Sequence, residues 1–398
     1  DGSTPTENSI LYSGPIQIKK EMIDVSQYEP LYIEPGRDTE IPDGFPLSMI
    51  STTAYNSPEK WRTPSENIFK AVAIKAVAIN EYGNDSIIIS KTYFIDANVT
   101  NRFQFPIVSI STDSDNLFGY DKGIMVPGIN YDTSVEEIVN NNRTGNFFQR
   151  GREWERPIHI EYYDENGQLA FSQNAGIRIH GDLSRKYAIK SFRIIARAVY
   201  DETNYFYYKF FKDKDINIFK SFILRGGGQA YRTNLMGESL AQHLIKPLDL
   251  DVQYGKPVIV FINGEYFGIR ILMDHYSDDY LETHYDINKN DITILSNNGV
   301  LEEGSIEGQI HYNNMRNYIL NTDLTIKENY DYLNTLMDIP NFIDYYIVQI
   351  FYCNGDWPRS NIKFWRKNVN YNPDAPYGHD GRWRWMVYDL DAGFGISF

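Results

Sequence analysis

Up to about Asp96 the chain alternates apolar and polar side chains in short runs broken by Pro, Gly, Asn and Ser. The longest, "FKAVAIKAVAINEYGNDSIIISKTYFI", folds in two about a "YGND" turn. A period of two with frequent turn residues predicts short strands, and a set of them this size predicts a small β-sandwich. "ANVTNRF" then reads as a linker, and "FPIVSISTD" opens a new strand. Two runs, "HIEYYDENGQLAF" and "VIVFINGEYFGIRIL", place Asn-Gly between alternating segments. Asn166-Gly167 and Asn263-Gly264 are therefore expected to form type I′ hairpin turns, which need positive φ. In "TNLMGESLAQHLI" the spacing of Leu235, Leu240 and Leu244 predicts a helix. Beyond Leu281 the pattern lengthens into helical runs, "KENYDYLNTLMDI" and "PNFIDYYIVQIFY". The acidic, Asn- and Gly-rich "SNNGVLEEGSIEGQIHYNNMRN" reads as a mobile insertion. Sheet first and helices later predict an α+β arrangement with a cleft between two lobes.

Composition narrows the function classes. The 398 residues are 42% hydrophobic, enough for more than one core. A formal net charge of −15 sets the surface against nucleic acid and anionic membranes, so a polyanionic ligand needs a local basic patch. No run of 18 apolar residues appears, so no membrane span is expected. The 31 tyrosines hint at wet, amphipathic partners such as sugars. Cys353 alone provides neither a disulfide framework nor a multi-cysteine zinc site, and reads as a small buried side chain rather than a reactive thiol. The opening "DGSTPTENS" lacks a signal peptide's n- and h-regions, and the end at "YDLDAGFGISF" reads as that of a fragment.

Chemistry concentrates in "NGDWPRSNIKFW". A helix ends at Cys353-Asn354-Gly355, Pro358 prevents its continuation, and "IKFWR" returns as a strand, so Asp356 and Asn361 lie on a loop held at both ends. Phosphoryl transfer from ATP needs an acid to take the acceptor hydroxyl's proton and an asparagine or acid to hold magnesium against the phosphates. Protein kinases carry that pair as D-x-x-x-x-N between helix and strand. Further on, "WRWMVYDLDAGFG" ends a strand-like run in two acids and a glycine turn. Either fragment alone is weak, because D-x₄-N arises by chance in an Asp- and Asn-rich chain and an acid pair after a strand is often a turn. Their order and context together point to a kinase-like site. Trp357, Trp365 and the pair in "RWRWM" read as packing rather than a binding platform.

The second part of the chain resembles the CotH kinase family, spore-coat-protein-H-like atypical protein kinases that are secreted or spore-surface proteins. The resemblance rests on "FPIVSISTDSDNLFGYDKGI", "GIRIHGDLSRKYAIKSFRIIAR", "ILRGGGQAYRTNLMGESLAQHL", "PVIVFINGEYFGIRILMDHY", "NGDWPRSNIKFWR" and "YDLDAGFG", in family order. The opening "DGSTPTENSILYSGPIQI" with the following hairpin and "KTYFID" resembles chitobiase C-terminal-like sandwich modules of immunoglobulin or fibronectin type. These resemblances imply a β-sandwich over 1–98 and a two-lobed kinase-like domain over 104–398, sheet-rich to about 275 and helix-rich beyond. They imply ATP and Mg²⁺ as cofactors and a protein substrate with a Ser or Thr acceptor. They also imply possible carbohydrate or cell-surface contact through the first module, and a place outside a bacterial cell, on its surface or on a spore coat.

By the same resemblance Asp356 is the catalytic acid-base group, Asn361 a magnesium ligand, Asp389 the metal-binding aspartate and Asp391 a second candidate ligand. Against the acidic whole, "RIHGDLSRKYAIKSFRIIAR" gathers Arg178, Arg185 and Lys190, with Lys190 the choice for pairing with phosphate. The plain alternative is a solvated basic hairpin. Glu238 is placed to orient that lysine, although the family usually has an Arg-Asp pair where Gly237-Glu238 stands; a surface helical glutamate is the alternative. The tip from Gly181 through Ser184 to Arg185 is the candidate to cover the nucleotide, and Gly226-Gly227-Gly228 reads as a turn. Two other readings remain: a surface adhesion or carbohydrate-binding protein with an inactive kinase-like domain, and a glycoside hydrolase using Asp356 and Asp389.

Overall fold

A computed structural model describes residues 2–37, 39–83, 86–132 and 143–394. The chain is a mixed α and β protein with several sheets. Contacts divide it into two compact units. The first holds Asp1–Tyr208, Ile223–Gly228 and Pro257–Leu272, and the second Lys209–Phe222, Gln229–Lys256 and Met273–Phe398.

The first unit is built on a nine-stranded sheet. Its elements in chain order are β1 (Glu21–Ile23), β2 (Ile68–Lys70), β3 (Val72–Ala76), β4 (Ile89–Tyr93), α1 (Val99–Arg102), β5 (Ile107–Ser111) and α2 (Ser114–Phe118). These are followed by β6 (Arg156–Tyr163), β7 (Leu169–His180), β8 (Ser191–Ile195), β9 (Ser221–Arg225), β10 (Gly255–Ile262) and β11 (Glu265–Asp274). The sheet runs β1-β2-β11-β9-β8-β7-β6-β5-β10, and β10 also pairs with β11. The pairings from β11 round to β10 thus close on themselves, which leaves those strands no free edge. One face of these strands is apolar and buried: Val108, Ile110, Ile160, Ile177, Phe192, Ile194 and Val260, which the register places together, are all essentially inaccessible.

The first 98 residues contribute β1 and β2 to this sheet, and β3 pairs with β4 in register Val72↔Tyr93 to Ala76↔Ile89. Asn84 and Asp85 of the expected turn between them lie outside the described residues. Phe69 packs in one aromatic cluster with Ile107, Ile259 and Phe261. The carboxylate of buried Glu265 accepts the backbone N–H groups of Leu47 and Ser48 and the Ser48 hydroxyl, at 3.2, 2.9 and 2.8 Å.

The two Asn-Gly sites behave differently. Asn263 and Gly264 have φ of 48° and 84°, as a type I′ turn requires. At the other, only Gly167 is positive, at 74°, and the expectation of the same turn is corrected. There the loop spans Asp164 to Gln168, Asp164 N–H donates to Gln168 O at 2.9 Å, and a register shift at Tyr162/Tyr163 absorbs the extra residue. The expected linker "ANVTNRF" contains the one-turn helix α1.

The second unit centres on a five-stranded sheet in the order Asp251–Val252, β15 (Arg384–Val387), β14 (Lys363–Lys367), β12 (Ile292–Ser296), β13 (Val300–Glu303). With it go α3 (Gly237–Leu244), α4 (Asp278–Tyr285), α5 (Ile306–Asn321), α6 (Lys327–Leu336) and α7 (Ile339–Phe351). The Asp338 side chain caps α7 by accepting from Asn341 N–H at 3.3 Å, and proline in the first turn costs no hydrogen bond there. Tyr345 and Val348 of α7 and Tyr352 just after it pack with Phe364 and Trp385 of the sheet and with Trp383. Trp365 and Trp383 are completely buried and Trp357 packs against the core, consistent with the reading of the tryptophans as packing.

Two expectations fail here, on the insertion and on Cys353, and a third, the helix of "TNLMGESLAQHLI", holds with an inward face that its leucines do not supply. The stretch read as a mobile insertion forms the β12–β13 hairpin and most of α5, paired Ile294↔Glu303 and Leu295↔Leu301. Its glycines and asparagines serve turn geometry, with Asn297 and Gly299 at φ 46° and 88°. Helix α3 exists, but Leu240 and Leu244 are more than half exposed, and it buries Gly237, Glu238, Ala241 and Gln242 instead. Cys353 is exposed, because it ends α7 with φ 50° on the outer side of the turn.

Candidate active site

Helix α7, β14 and β15 are anchored in the core of the second unit, and the loop from Asn354 to Asn361 is slung from the first two. Cys353 at φ 50° turns the chain out of the helix, and the Trp357–Pro358 peptide is cis. Asn354, buried, holds the start of the loop: its amide donates to Gln349 Oε1 at 2.8 Å and to Asp389 O at 3.5 Å, and its Oδ1 accepts the Asp356 N–H at 3.4 Å. The other end is held by Asn361, again at positive φ (60°), whose carbonyl accepts the Tyr345 hydroxyl at 3.4 Å. Asparagine tolerates this left-handed backbone better than most residues, which suits it to both structural and chemical duty here.

The segment after β15 returns to this loop. Asp389 has φ 53°, and Gly355 N–H donates to Ala392 O at 3.2 Å. Asn361 Nδ2 lies 3.5 Å from Asp356 Oδ2 and 3.4 Å from Asp389 O, so one amide spans the two segments. Asp391, 2% exposed, accepts the Gln229 backbone N–H on Oδ2 at 2.9 Å. Gln229 Nε2 lies 3.4 Å from Asp356 Oδ2. Four residues singled out from sequence, Asp356, Asn361, Asp389 and Asp391, therefore meet in one place. Glu238 belongs to the same unit, on the buried face of α3, so the surface-glutamate alternative does not hold.

Burial raises the Asp356 carboxyl above its ordinary pKa, and the negative charge of Asp389 pushes the same way, while Arg359 and the Asn361 amide oppose both. Two carboxylates beside an amide carbonyl form a hard-oxygen donor set of the kind Mg²⁺ takes. Among the described residues no group of three or more His, Cys, Asp or Glu could by itself hold a metal. Magnesium in phosphoryl transfer needs few protein oxygens when a nucleotide supplies others, so Asn361, Asp389 and Asp391 are residues that could hold it.

The remaining predicted residues lie in the first unit. Arg178 is on β7, with Nε 3.5 Å from Glu155 Oε2. Gly181 has φ 106°, and a Cβ there would come within 2.4 Å of Ser184 Oγ. The one-turn segment Leu183–Lys186 contains Ser184 and Arg185. Arg185 donates to the carbonyls of Gly181, Phe147 and Gln149 at 2.6, 3.2 and 3.1 Å, and burial draws its pKa down to about 10. Lys190, directly before β8, is fully buried; its ammonium donates to Arg185 O and Tyr187 O at 2.7 and 2.9 Å and sits 3.9 Å from the centre of the Phe147 ring. Burial drives its pKa well below the ordinary lysine value, with the Arg185 charge adding to this. In this conformation Arg185 and Lys190 spend their donors on backbone carbonyls of their own unit.

Gln229 and Asn354 are the site residues that sequence reasoning did not single out. Asn354 opens the quoted motif and could have been found as the residue that closes α7. Gln229 had no signal, since its partners are 127 and 162 positions away.

A search of the curated proteins found no match. A family model described as Fn3 associated matches residues 1–93. Another, described as CotH kinase protein, matches residues 177–397, more than half of the chain, and includes every predicted site residue. With the helix-loop-strand that carries Asp356 and Asn361 and the acids after β15 lying within that match, the chain belongs to the CotH kinase protein family.

Proposed function

We propose that this protein is a phosphotransferase of kinase type that moves the γ-phosphoryl group of ATP to a Ser or Thr hydroxyl of a partner protein. The observation that carries the reading is the Asn361 amide held between the Asp356 carboxylate and the Asp389 carbonyl, with the Asp389 charge felt at Asp356. It supports reading Asp356 as a proton acceptor beside a cation site. Asp356 accepts the hydroxyl proton as the new O–P bond forms and the bond to ADP breaks. Asn361 and Asp389, with Asp391 as a further candidate, would hold the magnesium, which would neutralise charge on the transferring group. Membership of the family supports a protein acceptor, a two-lobed kinase-like domain and a place on a bacterial surface or spore coat.

Arg178, Gly181, Ser184 and Arg185 are the proposed nucleotide contacts, and Lys190 the proposed phosphate partner. That last role requires the lysine to exchange its two carbonyl acceptors for phosphate oxygens.

Calorimetric titration with ATP, with and without Mg²⁺, tests the division of labour. The account predicts Mg²⁺-dependent binding weakened at least about tenfold in Asp389→Ala and nearly unchanged in Asp356→Ala. ATP binding indifferent to both Mg²⁺ and Asp389 would remove the cation site from the reading.

A further inference from the structure

Gln229 touches two of the three acids of the site with different groups. Its backbone N–H donates to Asp391 Oδ2 at 2.9 Å, and its side-chain amide reaches Asp356 Oδ2 at 3.4 Å. The Asn361 amide approaches the same Asp356 oxygen at 3.5 Å. Each contact to Asp356 is long, and such bonds in a site without substrate commonly tighten in the reacting complex. What matters is that both donors converge on Oδ2. Among the described residues no donor is found on Asp356 Oδ1.

The delivery of Gln229 is also specific. It follows Gly227 and Gly228, whose φ values of 91° and 51° only glycine adopts without strain. The triple glycine is thus a turn, and the turn sets the Gln229 backbone N–H on Asp391. That contact does not depend on which side chain stands at 229, whereas the contact to Asp356 does.

We propose that Gln229 is a positioning residue for the transfer. Its main chain fixes Asp391, and its side chain joins Asn361 in holding Oδ2 of Asp356, which leaves Oδ1 to face the acceptor hydroxyl. This rests on the phosphoryl-transfer reading of the site.

The test is kcat and the KM for ATP in the full chain, with Gln229→Leu, Gln229→Glu and Asp356→Ala measured beside the wild type. Gln229→Leu keeps the backbone donor and the bulk and loses the amide. Its kcat is expected to fall roughly tenfold with the KM for ATP within about twofold. Gln229→Glu is nearly the same shape and puts an acceptor where the donor stood, so its kcat falls at least as far, which also covers the case of a poorly folding leucine variant. A purely structural role would lower the folded fraction and leave kcat per folded molecule in place. If Asp356→Ala is inactive while both Gln229 variants keep the wild-type kcat, this inference fails and the function stands. If Asp356→Ala transfers phosphate like the wild type, or the wild type transfers none, the function fails and takes this inference with it.

Discussion

At Asp356 the ionised carboxylate is the form that accepts a proton, and the fold makes that form costly. Burial comes first among the causes and the Asp389 charge second. A carboxyl whose pKa is higher folded than unfolded binds its proton more tightly in the native state. Its stabilising effect is therefore complete below the ordinary carboxylate pKa and is lost as pH rises through the raised value. At neutral pH the ionised group opposes folding. Asp356→Asn should consequently melt a degree or so higher than wild type at pH 7, the gain shrinking to nothing near about pH 3, with the small size reflecting partial solvent exposure. Thermal unfolding followed by circular dichroism at the two pH values checks this; equal or lower melting at pH 7 contradicts it. The Asp356 and Asn361 spacing was legible because a helix, a proline and a strand fix a short loop around it. Gln229 was not, since no local pattern announces a hydrogen bond to a residue 127 positions away.

Among the elements, local turn chemistry was readable where nothing tertiary competed with it. Asn263-Gly264 takes the expected turn because β10 and β11 continue directly into it, while at Asn166-Gly167 a bulge at Tyr162/Tyr163 lengthens the loop and frees Asn166 from positive φ. Gly264 is doubly constrained: φ is 84°, and a Cβ would stand 2.0 Å from Ala71 O, a backbone atom that cannot step aside. Gly264→Ala should cost about 2–4 kcal/mol in urea unfolding, whereas Gly14→Ala, with nothing within 4 Å, should stay within roughly 0.5 kcal/mol. Comparable losses at the two sites would contradict the geometry. The α3 misreading has a physical origin too. Periodicity located the helix, but its inward face is filled by Ala241, Glu238 and Gln242, whose amide donates to Val387 O at 3.0 Å and accepts from Gln253 N–H at 3.1 Å. A polar side chain with satisfied hydrogen bonds is as good a core residue as leucine, and a hydropathy pattern does not register it.

For the molecule as a whole, the reading of mixed sheets and helices, with helices gathered late in the chain, survived. Among the described residues no helix is long and apolar enough to cross a membrane. Composition said less about how the first residues are used. Strand β2 joins the nine-stranded sheet, Phe69 enters its aromatic cluster, and Glu265, 4% exposed, takes all three of its hydrogen bonds from Leu47 and Ser48. A chain beginning at residue 104 would leave that carboxylate buried without its donors. It should lose at least about 3 kcal/mol against denaturant relative to the full chain, or fail to stay in solution. An unchanged denaturation midpoint would mean that residues 1–103 contribute nothing to the sheet they join.

The central claim, that Asp356 takes a proton during phosphoryl transfer, is tested most directly by incubating the protein and candidate acceptor proteins with γ-labelled ATP and Mg²⁺. Wild type and Asp356→Ala are compared at equal ATP occupancy. The account predicts label on Ser or Thr with the wild type and a rate lower by roughly 10²- to 10⁴-fold with the variant. Label transferred at the wild-type rate by Asp356→Ala would contradict it.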